Sequence, residues 1–227
     1  MIYIGVLFHD NEELVDPFFF FLRKSMRDTE HKVIALNNGS ADDTAGKLLF
    51  CLRDEDTYIH KAENVGISKA RNEIIQAMRY DAGTLDGHFL ALLDSDVFVA
   101  RAGSISLMMS ELEKDKSNGA AYGFTHSFND WNTHDPGVCF SVTRAEMFER
   151  VGLFDERFFC YYDDTDFYMR LKDAGYQIIN CSNARAVHAW GSTLWYGKQT
   201  AAKTKEILLS DNEKFNAKWG TNLKIVC

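Results

Sequence analysis

Two carboxylates one residue apart, Asp94 and Asp96, flank Ser95 directly after His88-Phe89-Leu90-Ala91-Leu92-Leu93, a run that reads as a buried strand. Acids held where a hydrophobic strand leaves a sheet suit a hard divalent cation, magnesium or manganese, shared with the phosphates of a ligand. The same residues also make an ordinary strand-end turn, because Asp and Ser cap backbone groups there. Spacing alone leaves both roles open. A second acidic cluster, Asp163-Asp164-Thr165-Asp166, precedes Phe167, Leu171 and Ala174, which share one face of a helix ending at Gly175. Asp at a helix N-terminus caps amides and meets the positive end of the dipole. Three acids in four residues exceed that need, however, and crowded like charges raise the pKa of at least one carboxylate, which suits a general base. His188 follows a short apolar stretch in Arg185-Ala186-Val187-His188-Ala189. A lone His is usually structural, and its distance from the acids is not readable from spacing.

The phosphates of a ligand need a holder, and the common loops are missing. Gly39 and Gly46-Lys47-Leu48 are separated by six residues and no Ser or Thr follows the Lys, so a Walker loop is not present. No Gly-x-Gly-x-x-Gly follows a strand either. A cation on Asp94 and Asp96 would do the same work.

These residues must be positioned by alternating strands and helices. Residues 2–8 read as a strand and 11–27 as a helix with Asp16-Pro17 in its early part. Residues 32–36 form a second strand, closed by the turn signal Asn37-Asn38-Gly39-Ser40. Ser40-Ala41-Asp42-Asp43 then opens a helix with a hydroxyl cap and acid in its first turn. A short strand at 58–60 and a helix over 67–80, with Ala70, Ile74, Ile75 and Met78 on one side, lead to the strand before Asp94. This order implies a parallel sheet with helices on both faces, and ligands in such sheets bind outside the carboxyl ends of the strands. Asn37, Asn64 and Asp94 each follow a strand and therefore face one crevice. Past Ala120-Ala121-Tyr122-Gly123-Phe124 the alternation is less regular. Residues 125–136 gather His126, Trp131, His134 and Asp135, either as an acceptor-side lip or as an irregular connection.

The bulk numbers fit one soluble domain. The chain has 227 residues, 46% hydrophobic and 26% charged, with a net charge of −8 that disfavours nucleic-acid binding. No run approaches the ~20 apolar residues of a bilayer span. The apolar run Phe18-Phe19-Phe20-Phe21-Leu22 reads as a doubly buried helix. Five cysteines, widely spaced and without a Cys-x-x-Cys pair, signal neither a disulfide framework nor a zinc site, and a reducing cytoplasm is the expected compartment.

Taken together, five ordered blocks carry a resemblance that runs from about Ile2 to Ser192. They are the first strand into Asn11-Glu12; Asn37-Asn38-Gly39-Ser40-Ala41-Asp42; Asn64-Val65-Gly66-Ile67-Ser68-Lys69-Ala70-Arg71-Asn72; Leu93-Asp94-Ser95-Asp96; and Val151-Gly152-Leu153-Phe154-Asp155-Glu156 through Asp164, Asp166, Arg170 and Gly175. The chain resembles the family 2 glycosyltransferases. That resemblance implies an α/β GT-A fold, Rossmann-like, with three α/β/α layers and a mostly parallel central sheet. It implies one domain over 1–227, with a nucleotide-sugar-binding half at 1–100 and an acceptor-binding, catalytic half at 101–227.

The implied activity is metal-dependent transfer of a sugar from a UDP or dTDP sugar to an acceptor hydroxyl, with inversion. The acceptor is a glycan, a lipid-linked molecule or a protein. By the same likeness Phe8, His9 and Asn37 border the nucleobase, although the family usually has an acid where Asn37 stands. Asn64 shapes the pocket and Arg71 reaches the nucleotide. Asp94 contacts ribose or metal, with Ser95 beside it on the nucleotide. Asp96 binds the Mn2+ or Mg2+ that bridges the diphosphate, and His188 supplies a further metal ligand. Asp164 takes the base position, and Asp163 stands where Glu is common. A nucleotidyltransferase would share the sheet but needs a Gly-rich basic loop where this chain has His9-Asp10-Asn11-Glu12-Glu13. A metal-dependent phosphoesterase or a carbohydrate-binding module would explain only part of the pattern.

Overall fold

The computed structural model describes residues 1–127, 133–134, 137–189 and 200–223. Much of the stretch read as a lip or connection, with Trp131, Asp135 and the side chains of His126 and His134, lies outside the described residues.

Four parallel strands open the chain: β1 (Ile2–Phe8), β2 (His31–Asn38), β3 (Thr57–Lys61) and β4 (Phe89–Asp94). They are joined by α1 (Glu12–Ser25), α2 (Thr44–Cys51) and α3 (Ile67–Ala82). The second part adds β5 (Val97–Phe98), α4 (Ser104–Glu113), β6 (Asn118–Ser127), β7 (Thr133–His134), β8 (Phe140–Arg144), α5 (Met147–Arg150), α6 (Asp163–Asp173), β9 (Gln177–His188) and α7 (Ala201–Trp219). One sheet results, in the order β3-β2-β1-β4-β8-β6-β9-β5, with β7 paired to β6. β8 enters antiparallel between β4 and β6, whereas β6 and β9 run with the first four strands.

Period-2 alternation builds the two faces. Ile2, Ile4, Val6 and Phe8 of β1 pack with Phe18, Phe19 and Leu22 of α1, Leu48 of α2 and Met108 of α4. Tyr3, Ile34, Leu36, Leu90 and Leu92 face the opposite way, onto Ala70, Ile74, Ile75 and Met78 of α3 and Phe148, Phe167 and Leu171 beyond. The α/β/α layering expected from the sequence is therefore present. Two local expectations are corrected. α1 is not buried all round: Phe18 and Phe19 are in the core, but Phe20 is 62% exposed and Phe21 lies against Phe98. Ser40 does not cap α2. Its hydroxyl accepts the Asp10 N–H at 3.0 Å, tying the β1–α1 and β2–α2 loops together, and α2 begins only at Thr44.

α7 follows Thr200, whose hydroxyl accepts the Lys203 N–H, and ends at Gly220 with φ +63°. Its Phe215 stacks on Tyr162 and meets Phe158, while Lys218 reaches Asp155 at 2.8 Å and Trp219 donates to Asp166 at 3.0 Å. Arg157 holds the Asp155 carboxyl well below the usual carboxylate range, with Lys218 adding to it against burial. Burial alone would raise Asp211, but the N–H groups of residues 159–161 and Lys214 bring it below its ordinary value. Carboxylates depressed in the fold contribute stability above their unfolded pKa of ~3.9 and lose it as pH falls toward the folded value. We therefore expect α7 to loosen first below about pH 4. Hydrogen exchange should show the amides of 201–219 losing protection ahead of those of α3, and uniform loss would contradict this.

Candidate active site

Asp94 is the last residue of β4, and the alternation that buries Leu90 and Leu92 toward α3 turns its carboxylate the same way. Asp96 sits two residues on, where β5 begins. β5 is only two residues long, but it pairs antiparallel with the end of β9, Val97 opposite His188 and Phe98 opposite Val187. The Ala189 N–H donates to the Asp96 carbonyl at 2.8 Å and closes this short ladder. His188 Nε2 thereby stands 3.1 Å from Asp96 Oδ1. One ligand atom each of Asp94, Asp96 and His188 lies within 4.8 Å of the others. Two carboxylates and an imidazole are a donor set that Mn2+ or Mg2+ accepts. The electrostatics agree: burial pulls the His188 imidazolium down, but its hydrogen bond to Asp96 and the charges of Asp96 and Asp94 outweigh that and raise its pKa. Burial, with Asp96 nearby, raises the Asp94 carboxyl despite Arg71 and His188. The pocket favours a positive charge.

Behind Asp94 stands Arg71 of α3, a buried guanidinium that bridges Asp94 at 3.1 Å and Asp163 at 2.5 Å and lies over the Phe154 ring. α3 holds the whole acid-bearing segment. Asn72 donates to the Phe154 carbonyl and accepts its N–H, both at 2.9 Å, and Ser68 donates to the Phe158 carbonyl at 2.6 Å. Burial pushes the Asp163 carboxyl up to about 6 even against Arg71. Removing Arg71 strands that acid. Arg71→Ala is expected to cost about 3–5 kcal/mol at neutral pH, the usual penalty for breaking a buried pair on one side. Protonation of Asp163 relieves it. Without Arg71, which lowers this carboxyl, Asp163 titrates above the wild-type value of about 6, so denaturant midpoints should recover toward wild type as pH falls toward 6. A loss independent of pH would contradict this account.

Most of the acidic cluster is engaged elsewhere than at the helix-end amides. No side chain caps α6 at its N-cap, Tyr162. Asp163 is taken by Arg71, and Asp166 by Arg170 at 2.9 Å, Lys218 and Trp219. Asp164, half-buried, makes among the described residues only a local bond through Oδ1, to the Thr165 N–H at 2.6 Å and to its hydroxyl at 3.2 Å. The raised pKa expected of one member belongs to Asp163, chiefly through burial. Burial pushes the pKa of the Cys139 thiol up, and the charges of Asp94, Asp96 and Asp164 push it further against Arg71.

The remaining sequence candidates lie around this centre with different exposures. Phe8 is fully buried in the core, edge-on to Phe18. His9 is half-buried, 3.8 Å from Asp10. Asn37 is also fully buried: its side-chain Oδ1 accepts the Ser40 N–H at 3.1 Å and its Nδ2 lies 3.3 Å from His60 Nδ1. Asn64 accepts from Asn38 and from the Gly66 N–H, shaping the loop that starts α3. Ser95 is buried and accepts from Asn11 at 3.2 Å, fixing the Asp94–Asp96 turn to the β1–α1 loop. Cys139 and Asn11 were not singled out as site residues by sequence reasoning, and the first carries no sequence signal at all.

A family model, glycosyl transferase family 2, matches residues 4–175. The chain belongs to that family. This glycosyltransferase shows no significant similarity to any curated protein. Among solved structures it is similar to the mannosyltransferase PcManGT from Pyrobaculum calidifontis in complex with GDP-Man and Mn2+, with TM-score 0.70 and 15% identity over 99% of this chain and 65% of that one. It is similar to S. aureus TarS 1-349 in complex with UDP-GlcNAc, with TM-score 0.65 and 15% identity over 98% and 68%. It is also similar to glucosyl-3-phosphoglycerate synthase from Mycobacterium tuberculosis in complex with Mg2+ and UDP, with TM-score 0.67 and 11% identity over 99% and 81%. At these identities the likeness establishes the fold. The glycosyltransferase thus spans about two thirds of the length of PcManGT. No helix among its described residues is long and apolar enough to cross a membrane.

Proposed function

We propose that this glycosyltransferase is metal-dependent and transfers a sugar from a UDP or dTDP sugar to an acceptor hydroxyl with inversion. The observation that carries the reading is the convergence of Asp94, Asp96 and His188, ligand atoms within 4.8 Å of one another, where β4 and β9 end. These three residues would hold Mn2+ or Mg2+, the cations named with PcManGT and the phosphoglycerate synthase. A cation held there would supply Lewis-acid neutralisation of the departing diphosphate.

The chain's own residues do the rest. Arg71 holds Asp94 in place from behind, and Ser95 fixes the turn that carries Asp96. Residues His9 and Asn64 line the donor side, with Asn37 and the Phe8 backbone beneath. Asp164 accepts the proton of the acceptor hydroxyl as its oxygen attacks the anomeric carbon. The bond from that carbon to the diphosphate oxygen breaks on the opposite face, so configuration inverts. A carboxylate is a weak base for an alcohol, so the proton moves late. In this reading the first hundred residues bind the donor, and the rest bind a glycan, lipid-linked or protein acceptor and supply the base.

Incubation with a panel of UDP, dTDP and GDP sugars, with Mn2+, Mg2+ or chelator, tests it. Cation-dependent release of UDP or dTDP is the expected result. Consumption only of a GDP sugar overturns the donor assignment, and equal rates in chelator overturn the metal.

A further inference from the structure

α7 lies beyond the residues of the family match, yet one of its side chains grips the segment that delivers the acids. Asp211 is fully buried. A single oxygen, Oδ2, accepts three successive backbone N–H groups, from Phe159 at 2.9 Å, Cys160 at 2.8 Å and Tyr161 at 3.1 Å. Lys214 donates to Oδ1 at 2.9 Å. Consecutive N–H groups aimed at one point form a concave anion-binding nest, and here a carboxylate of the same chain fills it. Hydrogen bonds to an ionised acceptor are the strong ones, and a buried carboxylate has no water to exchange them for.

The other side of the segment is pinned just as firmly. The Phe159 carbonyl accepts the Ile67 N–H at 2.6 Å, and the Phe158 carbonyl accepts from Ser68 at 2.6 Å. Gly66, with φ +86°, leaves no room for a Cβ, which would come within 2.8 Å of the Phe159 carbonyl. Directly after the nest Tyr162 adopts φ +67°, a conformation that non-glycine residues keep only where their surroundings impose it. α7 imposes it: Asn212 donates to the Tyr162 hydroxyl at 2.8 Å and Phe215 stacks on its ring with centroids 4.9 Å apart. The next two residues are Asp163, paired to Arg71, and Asp164.

We propose that Asp211 is a positioning residue for the transfer reaction, holding the Phe159–Tyr161 backbone so that Tyr162 turns Asp164 into the crevice. The inference rests on the reading of Asp164 as the base. Its effect is on geometry at the reacting centre, where a displacement of about 1 Å lowers turnover by as much as about 10²-fold.

Asp211→Asn tests it. The variant keeps the shape but loses the charge, and its carboxamide must turn an N–H2 toward either the nest or Lys214. With a donor that the wild type consumes, kcat is expected to fall about 10–100-fold with donor KM little changed. Amide exchange at Phe159, Cys160 and Tyr161 should speed up, and the loss of protection should extend into the first turn of α6. Wild-type kcat in a folded variant, or lost protection confined to α7, overturns the proposal. Should the variant not fold, native-state exchange on the wild type decides: the three amides must open together with the core of α7, and their exchange ahead of it overturns the clamp. If the wild type consumes no nucleotide sugar, the functional reading fails, and the exchange data alone accept or reject the clamp.

Discussion

Asp164→Asn is expected to lose about 10²–10⁴-fold in turnover, the usual contribution of a positioned general base. The carboxamide preserves shape and can still accept the Thr165 N–H that Asp164 accepts at 2.6 Å, so nucleotide affinity and melting temperature should stay near wild type. A helix-terminal role would give the opposite pattern, a stability loss of up to ~1 kcal/mol with turnover intact. Asp163 is the poorer base because Arg71 holds it at 2.5 Å, and Asp166 is fully buried among Arg170, Lys218 and Trp219. A product of retained anomeric configuration would remove the single displacement altogether.

The second large effect is expected at Asp96. Asp96→Ala removes the acid that His188 approaches at 3.1 Å and leaves Asp94 as the only carboxylate of the trio. UDP binding measured calorimetrically should lose its dependence on Mn2+, because the chain offers no phosphate loop as a substitute. Turnover should fall about 10³-fold or more, since Lewis-acid stabilisation of a leaving diphosphate is worth several kcal/mol and each ~1.4 kcal/mol is a factor of ten. Equal wild-type affinity for UDP in Mn2+ and in chelator would count decisively against the assignment. Asp96→Asn, which keeps volume and one oxygen, should fall between the two.

The first half of the fold was legible because its signals are local. Alternating apolar residues in β1, the 3.6-residue spacing of Ala70, Ile74 and Met78, and the runs before Asn37 and Asp94 each speak for one element. The site was legible as residues but not as contacts. That Arg71 joins Asp94 to Asp163 depends on Asn72 and Ser68 drawing the 154–158 backbone onto α3, and no spacing encodes that. Exposure was unreadable too: Phe8 and Asn37 stand at strand ends, but the row they occupy faces α1 and α2 rather than open crevice. α7 was missed although its boundaries were written in Thr200 and Gly220. Its apolar side is narrow, Phe215 being its one fully buried hydrophobic, so periodicity gave little warning. Its buried Asp211 looked like any surface acid on a polar helix.

The short ladder between β5 and β9 has a consequence for how the molecule comes into being. A two-residue strand has no standing of its own, and β5 takes its place at the rim of the sheet only once His188 and Val187 arrive from far along the chain. Ladders between segments so distant close late in folding, because loop entropy must be overcome before pairing returns anything. A nascent chain that has emerged as far as residue 100 therefore carries Asp94 and Asp96 without the partner strand that sets their final geometry. Neither the first hundred residues nor the remainder is a piece that could be severed, shuffled or inherited by itself with the trio intact.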